Sequence, residues 1–256
     1  TEGGGLGRLS MAEQQIIRFT HENLNSNSVS ADFIRSVYEE TDGTLWIGTS
    51  QAGLNKYDPA KDSFKKYLVP DGTRDGFARG TIWSISPGDD DILWLGTSRG
   101  IGKLNKRTGR ISFIPPSDSG LLGNNVLKVL DDGKGYLWIG SWYGGLNRMN
   151  IETGQFDRFV YTPDNSKALP SNNVNEIFID SKNRVWIGSD NALSLFKSIE
   201  EGFVNYDLPT LMIAEDTQGI LWLVTQQGLA TFNPETESTY FFSERDSLVT
   251  SLASSI

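Results

Sequence analysis

Cysteine is absent from this sequence, which excludes disulfides, thiolate nucleophiles and cysteine-ligated zinc. The compartment stays open, because many exported bacterial proteins also lack cysteine. Histidine occurs once, as His21, too few for a multi-histidine metal centre. Positive charge is in deficit: 23 Lys and Arg face 32 Asp and Glu, a net charge of −9. With no basic field to hold a phosphate backbone, nucleic acid is not an expected partner. No apolar run reaches the roughly 18 residues that a spanning helix needs, and no signal-peptide pattern is present. If the protein is exported or anchored, those segments lie outside these residues. Nor is there a 3.6-residue apolar period sustained beyond about two turns, so helices are not expected.

Glycine and aromatics are plentiful: 27 Gly, 7 Trp, 8 Tyr and 13 Phe. At regular intervals they are the composition of short strands joined by tight turns. The interval is explicit, because five segments align on a tryptophan. They are Leu45-Trp46-Ile47-Gly48-Thr49, Leu93-Trp94-Leu95-Gly96-Thr97, Leu137-Trp138-Ile139-Gly140-Ser141, Val185-Trp186-Ile187-Gly188-Ser189 and Leu221-Trp222-Leu223-Val224-Thr225. The tryptophans are 48, 44, 48 and 36 residues apart, a period that signals a repeat architecture.

Each unit predicts four strands, A to D. Strand A carries apolar pairs such as Ile34 and Val37, Ile82 and Ile85, Val126 and Val129, or Val174 and Ile177. An acidic, Gly-containing turn follows, and strand B holds the tryptophan. Strand C is a Gly-Leu segment, as at Gly53-Leu54-Asn55 and Gly145-Leu146-Asn147, and a turn such as Thr153-Gly154 leads to strand D. The apolar residues of strand B are consecutive, which predicts burial on both faces, each tryptophan filling the gap to a neighbouring sheet. The fold class is therefore all-β: a β-propeller of four-stranded antiparallel blades, five complete repeats plus partial blades at both ends. The expected organisation is one propeller fragment over residues 1–256. Residues 1–23 supply strands C and D of a partial blade, 24–246 the five complete blades, and 247–256 the start of another.

Asp131-Asp132-Gly133-Lys134-Gly135-Tyr136-Leu137-Trp138-Ile139-Gly140-Ser141, continuing to Gly144-Gly145-Leu146, resembles the two-component regulator propeller repeat. The pattern recurs along nearly the whole chain; the fifth repeat departs from it, with Val224 in place of glycine. The resemblance implies the periplasmic sensor region of a large bacterial receptor. In such proteins a blade array precedes a β-sandwich, a membrane span and a histidine kinase or diguanylate cyclase, and many respond to carbohydrate-derived ligands.

In such blades the B–C and D–A connections return to one face, and in this sequence they are the variable ones. The B–C turns contain Gln51, Arg99, Trp142-Tyr143, Asn191 and Gln227. The D–A loops, at 23–27, 71–79, 124–125 and 165–173, are rich in Asn and include Arg79, Asn125 and Asn173. Variable loops on a rigid scaffold are where binding resides. Amides supply paired donors and acceptors, and aromatic rings a flat apolar surface, which together suit sugars. Trp142, Tyr143, Arg99, Gln51, Asn125, Asn173, Asn191, Gln227 and Arg79 are thus the expected ligand-binding residues. Trp142 stands out because it breaks the repeat. Trp83 also lies off the repeat, but in strand A, where core packing is the expected role.

No catalytic residue, metal ligand or cofactor is expected. His21 reads as a solvated loop residue, Asp89-Asp90-Asp91 as a turn without the EF-hand pattern, and the Gly-rich stretches lack a phosphate-loop ending. The leading expectation is a non-catalytic sensor domain that binds an oligosaccharide or other small molecule or docks a neighbouring domain of the same receptor. A propeller lyase acting on a polysaccharide or lactone is the alternative, since fold never settles function. A protein-interaction platform merges with the first reading if the array forms a homodimer.

Overall fold

Residues two apart on a strand share a face, and in four of the five repeats that places the strand-B tryptophan beside a glycine. The computed structural model describes residues 3–10, 14–67, 80–89, 91–114 and 123–242. Within them lies a two-stranded hairpin, β1 (Leu6–Ser10) and β2 (Gln15–Phe19), followed by five four-stranded sheets, each ordered as in the chain. The first is β3 (Ile34–Glu39), β4 (Leu45–Thr49), β5 (Leu54–Asp58) and β6 (Ser63–Tyr67); the second is β7 (Ile82–Pro87), β8 (Ile92–Thr97), β9 (Gly100–Asn105) and β10 (Ile111–Ile114). The third comprises β11 (Val126–Asp131), β12 (Tyr136–Ser141), β13 (Gly145–Asn150) and β14 (Phe156–Phe159). The fourth comprises β15 (Val174–Ile179), β16 (Val185–Ser189), β17 (Leu193–Ser198) and β18 (Gly202–Tyr206). The fifth comprises β19 (Thr210–Glu215), β20 (Leu221–Thr225), β21 (Gly228–Asn233) and β22 (Ser238–Phe241). These are the blades that the repeat predicts. The expected start of a further blade at 247–256 lies outside the described residues. The chain divides into two compact units, Thr1–Ile139 with Arg148–Phe156, and Gly140–Asn147 with Asp157–Ile256, so that the division runs through the third sheet.

In the first unit Trp46 packs with Ile82, Leu93, Leu95 and Leu104 of the second sheet, and Trp94 with Val126, Val129, Leu137 and Ile139 of the third. In the second unit Trp186 packs with Ile213, Leu221, Leu223 and Phe232 of the fifth sheet. Each of these tryptophans therefore faces the sheet that follows it. The glycine two residues on lets that sheet approach. A Cβ on Gly48 would come within 2.9 Å of Ile82, one on Gly96 within 2.9 Å of the Val126 carbonyl, and one on Gly140 within 2.6 Å of Val174.

One expectation needs correcting. Trp46, Trp94, Trp138 and Trp186 are buried, but Trp222 is only half-buried, and Val224 beside it is 40% exposed. In the fifth sheet the face that meets a neighbour elsewhere is open among the described residues, so a β-branched side chain stands where glycine is otherwise required. Val37, one of the apolar residues of strand A, is 51% exposed. It lies opposite Ile47, on the side of the hairpin, where only two strands are described.

The A–B turns do more than reverse the chain. The acid six residues before the tryptophan accepts its indole N–H: Glu40 from Trp46, Asp132 from Trp138, Asp180 from Trp186 and Asp216 from Trp222. A donor buried among apolar groups is thereby satisfied.

Candidate functional site

The B–C turns meet the ends of the D–A loops, as the topology predicts. In the first unit Ser50 N–H donates to the Phe33 carbonyl and Ser98 N–H to the Thr81 carbonyl. In the second, Asp190 N–H donates to the Asn173 carbonyl at 3.4 Å. The middle of the described D–A loops goes elsewhere. Residue 167 accepts from the Phe203 N–H through its carbonyl, and the Asn205 amide donates to the carbonyls of Ser166 and Ala168 at 2.9 Å. Likewise Asn27 accepts from Phe64 N–H, while buried Asn55 ties down Ser30. These loops lie along outer strands β18 and β6 and occupy backbone groups that would otherwise form an open sheet edge. Much of their asparagine content is turn chemistry: Asn25 accepts from Asn27 N–H, and Asn165 from Lys167 N–H.

What remains at the turns of the second unit is a small, ordered set of side chains. Trp142 and Tyr143 are 43% and 77% exposed, and their rings stack at 5.8 Å with planes 4° apart. Tyr143 holds a positive φ of 65°, a conformation that costs a non-glycine residue about 1–2 kcal/mol. Asn173 holds it there by accepting the Tyr143 N–H at 2.9 Å. The Asn173 amide nitrogen donates to Asp190 at 2.6 Å, and Asn175 donates to the other Asp190 oxygen at 3.0 Å. No cation pairs with Asp190 among the described residues. The result is a flat aromatic platform beside a carboxylate oriented by two amides, able to stack on an apolar ring face and accept from hydroxyl groups.

Asn175 escaped the sequence reading, and the reason is geometric. It sits at a register shift between Val174 and Glu176, a β-bulge that leaves it without a ladder partner and re-aims its side chain. The same shift falls at Arg35, Trp83 and Leu211. The available signal was side-chain variability at the second residue of strand A, between apolar positions that recur.

The remaining expected residues are scattered. Gln51, exposed with φ 59°, occupies the turn position of Tyr143 in the first blade. Arg99 is exposed on the second B–C turn. Asn125 accepts the indole N–H of Trp83 at 2.7 Å, and the half-buried Trp83 is correspondingly not a core residue. Asn191 donates to the Pro170 carbonyl, and Gln227 lines a small cleft with Asp207, Pro209 and Phe241. Arg79 lies outside the described residues. His21 is tied into its loop, its ring nitrogens facing the Val29 carbonyl and the Asn23 side chain. Asp91 pairs with Arg107, while Asp90 lies outside the described residues.

The model of the two-component regulator propeller family matches residues 28–51, 120–143 and 168–191. These are the repeats that combine an acid six residues before the tryptophan with a glycine two after it. A protein of Formosa agariphila called histidine kinase P4 is 33% identical over 265 residues, covering 97% of this chain and 19% of its own length. The chain thus spans about a fifth of that curated relative. Among solved structures, the extracellular domain of the hybrid two-component system BT3049 from B. thetaiotaomicron superposes with a TM-score of 0.81 at 24% identity, covering 95% of this chain and 33% of that one. The extracellular domain of system BT4673 from the same organism matches with a TM-score of 0.56 at 17% identity, over 94% of this chain and 38% of that one. At these identities the likeness establishes the propeller fold.

Proposed function

We propose, from the premise that this chain carries two-component regulator propeller repeats, that it is part of the periplasmic, ligand-sensing region of a bacterial signal-transduction protein. Its ligand is carbohydrate-like, and neighbouring domains of the same receptor carry the output. The observation that carries this reading is the Trp142–Tyr143 platform, whose backbone is held in an unfavourable conformation by Asn173. Strain of that kind persists where the surroundings over-determine it, and it concentrates at ligand clamps. The 33% identical kinase relative supports a signalling role, and the two extracellular-domain structures support export. The lyase alternative is less favoured by the geometry: Asp190, the carboxylate beside the platform, already accepts amide hydrogens on both oxygens and is poorly placed to take a substrate proton.

Titration calorimetry of the 256-residue chain against a panel of neutral oligosaccharides tests the reading. Heat of binding that disappears in Trp142→Ala, with unchanged denaturation, is expected. Binding of a panel member that Trp142→Ala leaves intact, or silence across the whole panel, overturns the platform as the site.

A further inference from the structure

The first unit carries a second arrangement of bulge residues with different chemistry. Arg35 and Trp83 are the second residues of β3 and β7, and both stand at the register shifts that release a side chain from the ladder. The guanidinium carbon of Arg35 lies 5.4 Å from the centre of the Trp83 ring. Asn125, immediately before β11, accepts the indole N–H at 2.7 Å and so fixes the ring. Arg35 is exposed, and among the described residues no carboxylate pairs with it, although the chain has a net charge of −9. Acidic side chains outnumber basic ones in the chain, 32 to 23, so an exposed arginine set over an indole and paired with none of them is suited to receive an anion. The cation–π contact steadies the guanidinium from one face and leaves its N–H fork available.

We propose that Arg35, Trp83 and Asn125 form a subsite for a sugar acid. The uronate carboxylate accepts two hydrogen bonds from the Arg35 fork, the bidentate geometry that guanidinium and carboxylate share. The ring bearing it lies beside the indole, where the Asn125 amide nitrogen, unused by the bond to Trp83, donates to a ring hydroxyl. This subsite is separate from the Trp142 platform. The sugar part rests on the reading given above; the anionic part rests on Arg35 alone.

Calorimetry of the whole chain with trigalacturonate, its neutral trigalactose counterpart and inorganic sulfate separates these elements. The expected result is binding of trigalacturonate that weakens at least tenfold in Arg35→Gln and weakens less in Arg35→Lys. Arg35 is exposed, so its variants should denature as the parent chain does. Equal affinity for trigalactose, an Arg35→Gln variant that binds trigalacturonate as the parent does, or no binding of trigalacturonate at all overturns the proposal. Sulfate binding as tightly as trigalacturonate with the same Arg35 dependence would make the site a general anion site and overturn the sugar-acid assignment. Neutral sugars could still bind at Trp142 in each of those cases, so the two readings fail independently.

Discussion

The indole N–H of Trp94 donates to Asp131, a residue of the following sheet, at 3.2 Å. In the other repeats the acceptor is the acid six residues earlier in the same sheet, but that position in the second repeat is Gly88. A Cβ there would stand 2.8 Å from the indole nitrogen. The lost local acceptor is thus replaced across the seam between two sheets.

Asp131 and its neighbourhood predict an unusual pH response. Burial pushes its carboxyl above the ordinary range, with Asp89 and Asp132 adding repulsion, against hydrogen bonds from Gly133 N–H and Trp94. The folded chain therefore holds this proton more tightly than the unfolded chain. Its contribution to stability is greatest in acid and declines as pH rises from the ordinary carboxylate value through the raised one. Asp131→Asn should flatten that decline and cost less at neutral pH than Asp131→Ala, which leaves the buried Trp94 N–H unpaired at about 1–3 kcal/mol. Urea denaturation of the three chains across pH would show it; an unchanged slope in Asp131→Asn rules the account out.

Asp180 predicts the reverse. Burial pushes its carboxyl up, but hydrogen bonds from Trp186, the Arg184 backbone and the Arg184 guanidinium outweigh burial and leave it below the ordinary range. Its contribution is present above the unfolded carboxylate value and is lost as pH falls through the lowered one. Asp180→Asn should therefore destabilise the chain by about 1–3 kcal/mol at pH 7, and the gap to the parent should narrow in acid. A gap that stays constant down to pH 3 contradicts this assignment.

The seams predict unequal costs for equal substitutions. Gly188→Ala would place a Cβ 2.9 Å from the Thr210 carbonyl oxygen, an overpacking worth about 1–3 kcal/mol. Val224→Gly occupies the matching position on an open face and should shift stability by less than about 1 kcal/mol, mainly through backbone entropy. By the same logic Trp186→Ala should cost about 3–5 kcal/mol, and Trp222→Ala clearly less. Similar denaturation midpoints for Trp186→Ala and Trp222→Ala would mean that the fifth sheet is covered as the others are.

The repeat was legible because its signals are local. Trp46-x-Gly48 and its counterparts declare a face, the Asp-Gly turns declare reversals, and consecutive apolar residues in strand B declare burial on both sides. The exposed Trp142–Tyr143 turn could also be found, because Trp142 falls in a B–C turn rather than in a strand of the repeat. The D–A loops misled: Asn25 and Asn165 look like ligand groups in sequence yet close their own turns, and Asn205, which no loop pattern singles out, anchors residues 166 and 168. The acids of the A–B turns looked ordinary because a six-residue reach to an indole nitrogen is not a turn signal.

By itself, the sequence determined the five four-stranded sheets of the described residues and the tryptophan strand as the driest in the first four, since those follow from side-chain period and glycine placement over a few residues. Only the tertiary structure decided which polar side chains are free for a ligand. That depends on a bulge placing Arg35 over Trp83, 48 residues away, and on whether an amide finds an internal acceptor first. Hydrogen bonding is short-ranged and saturable, so a side chain's availability is set by the neighbours that folding brings to it.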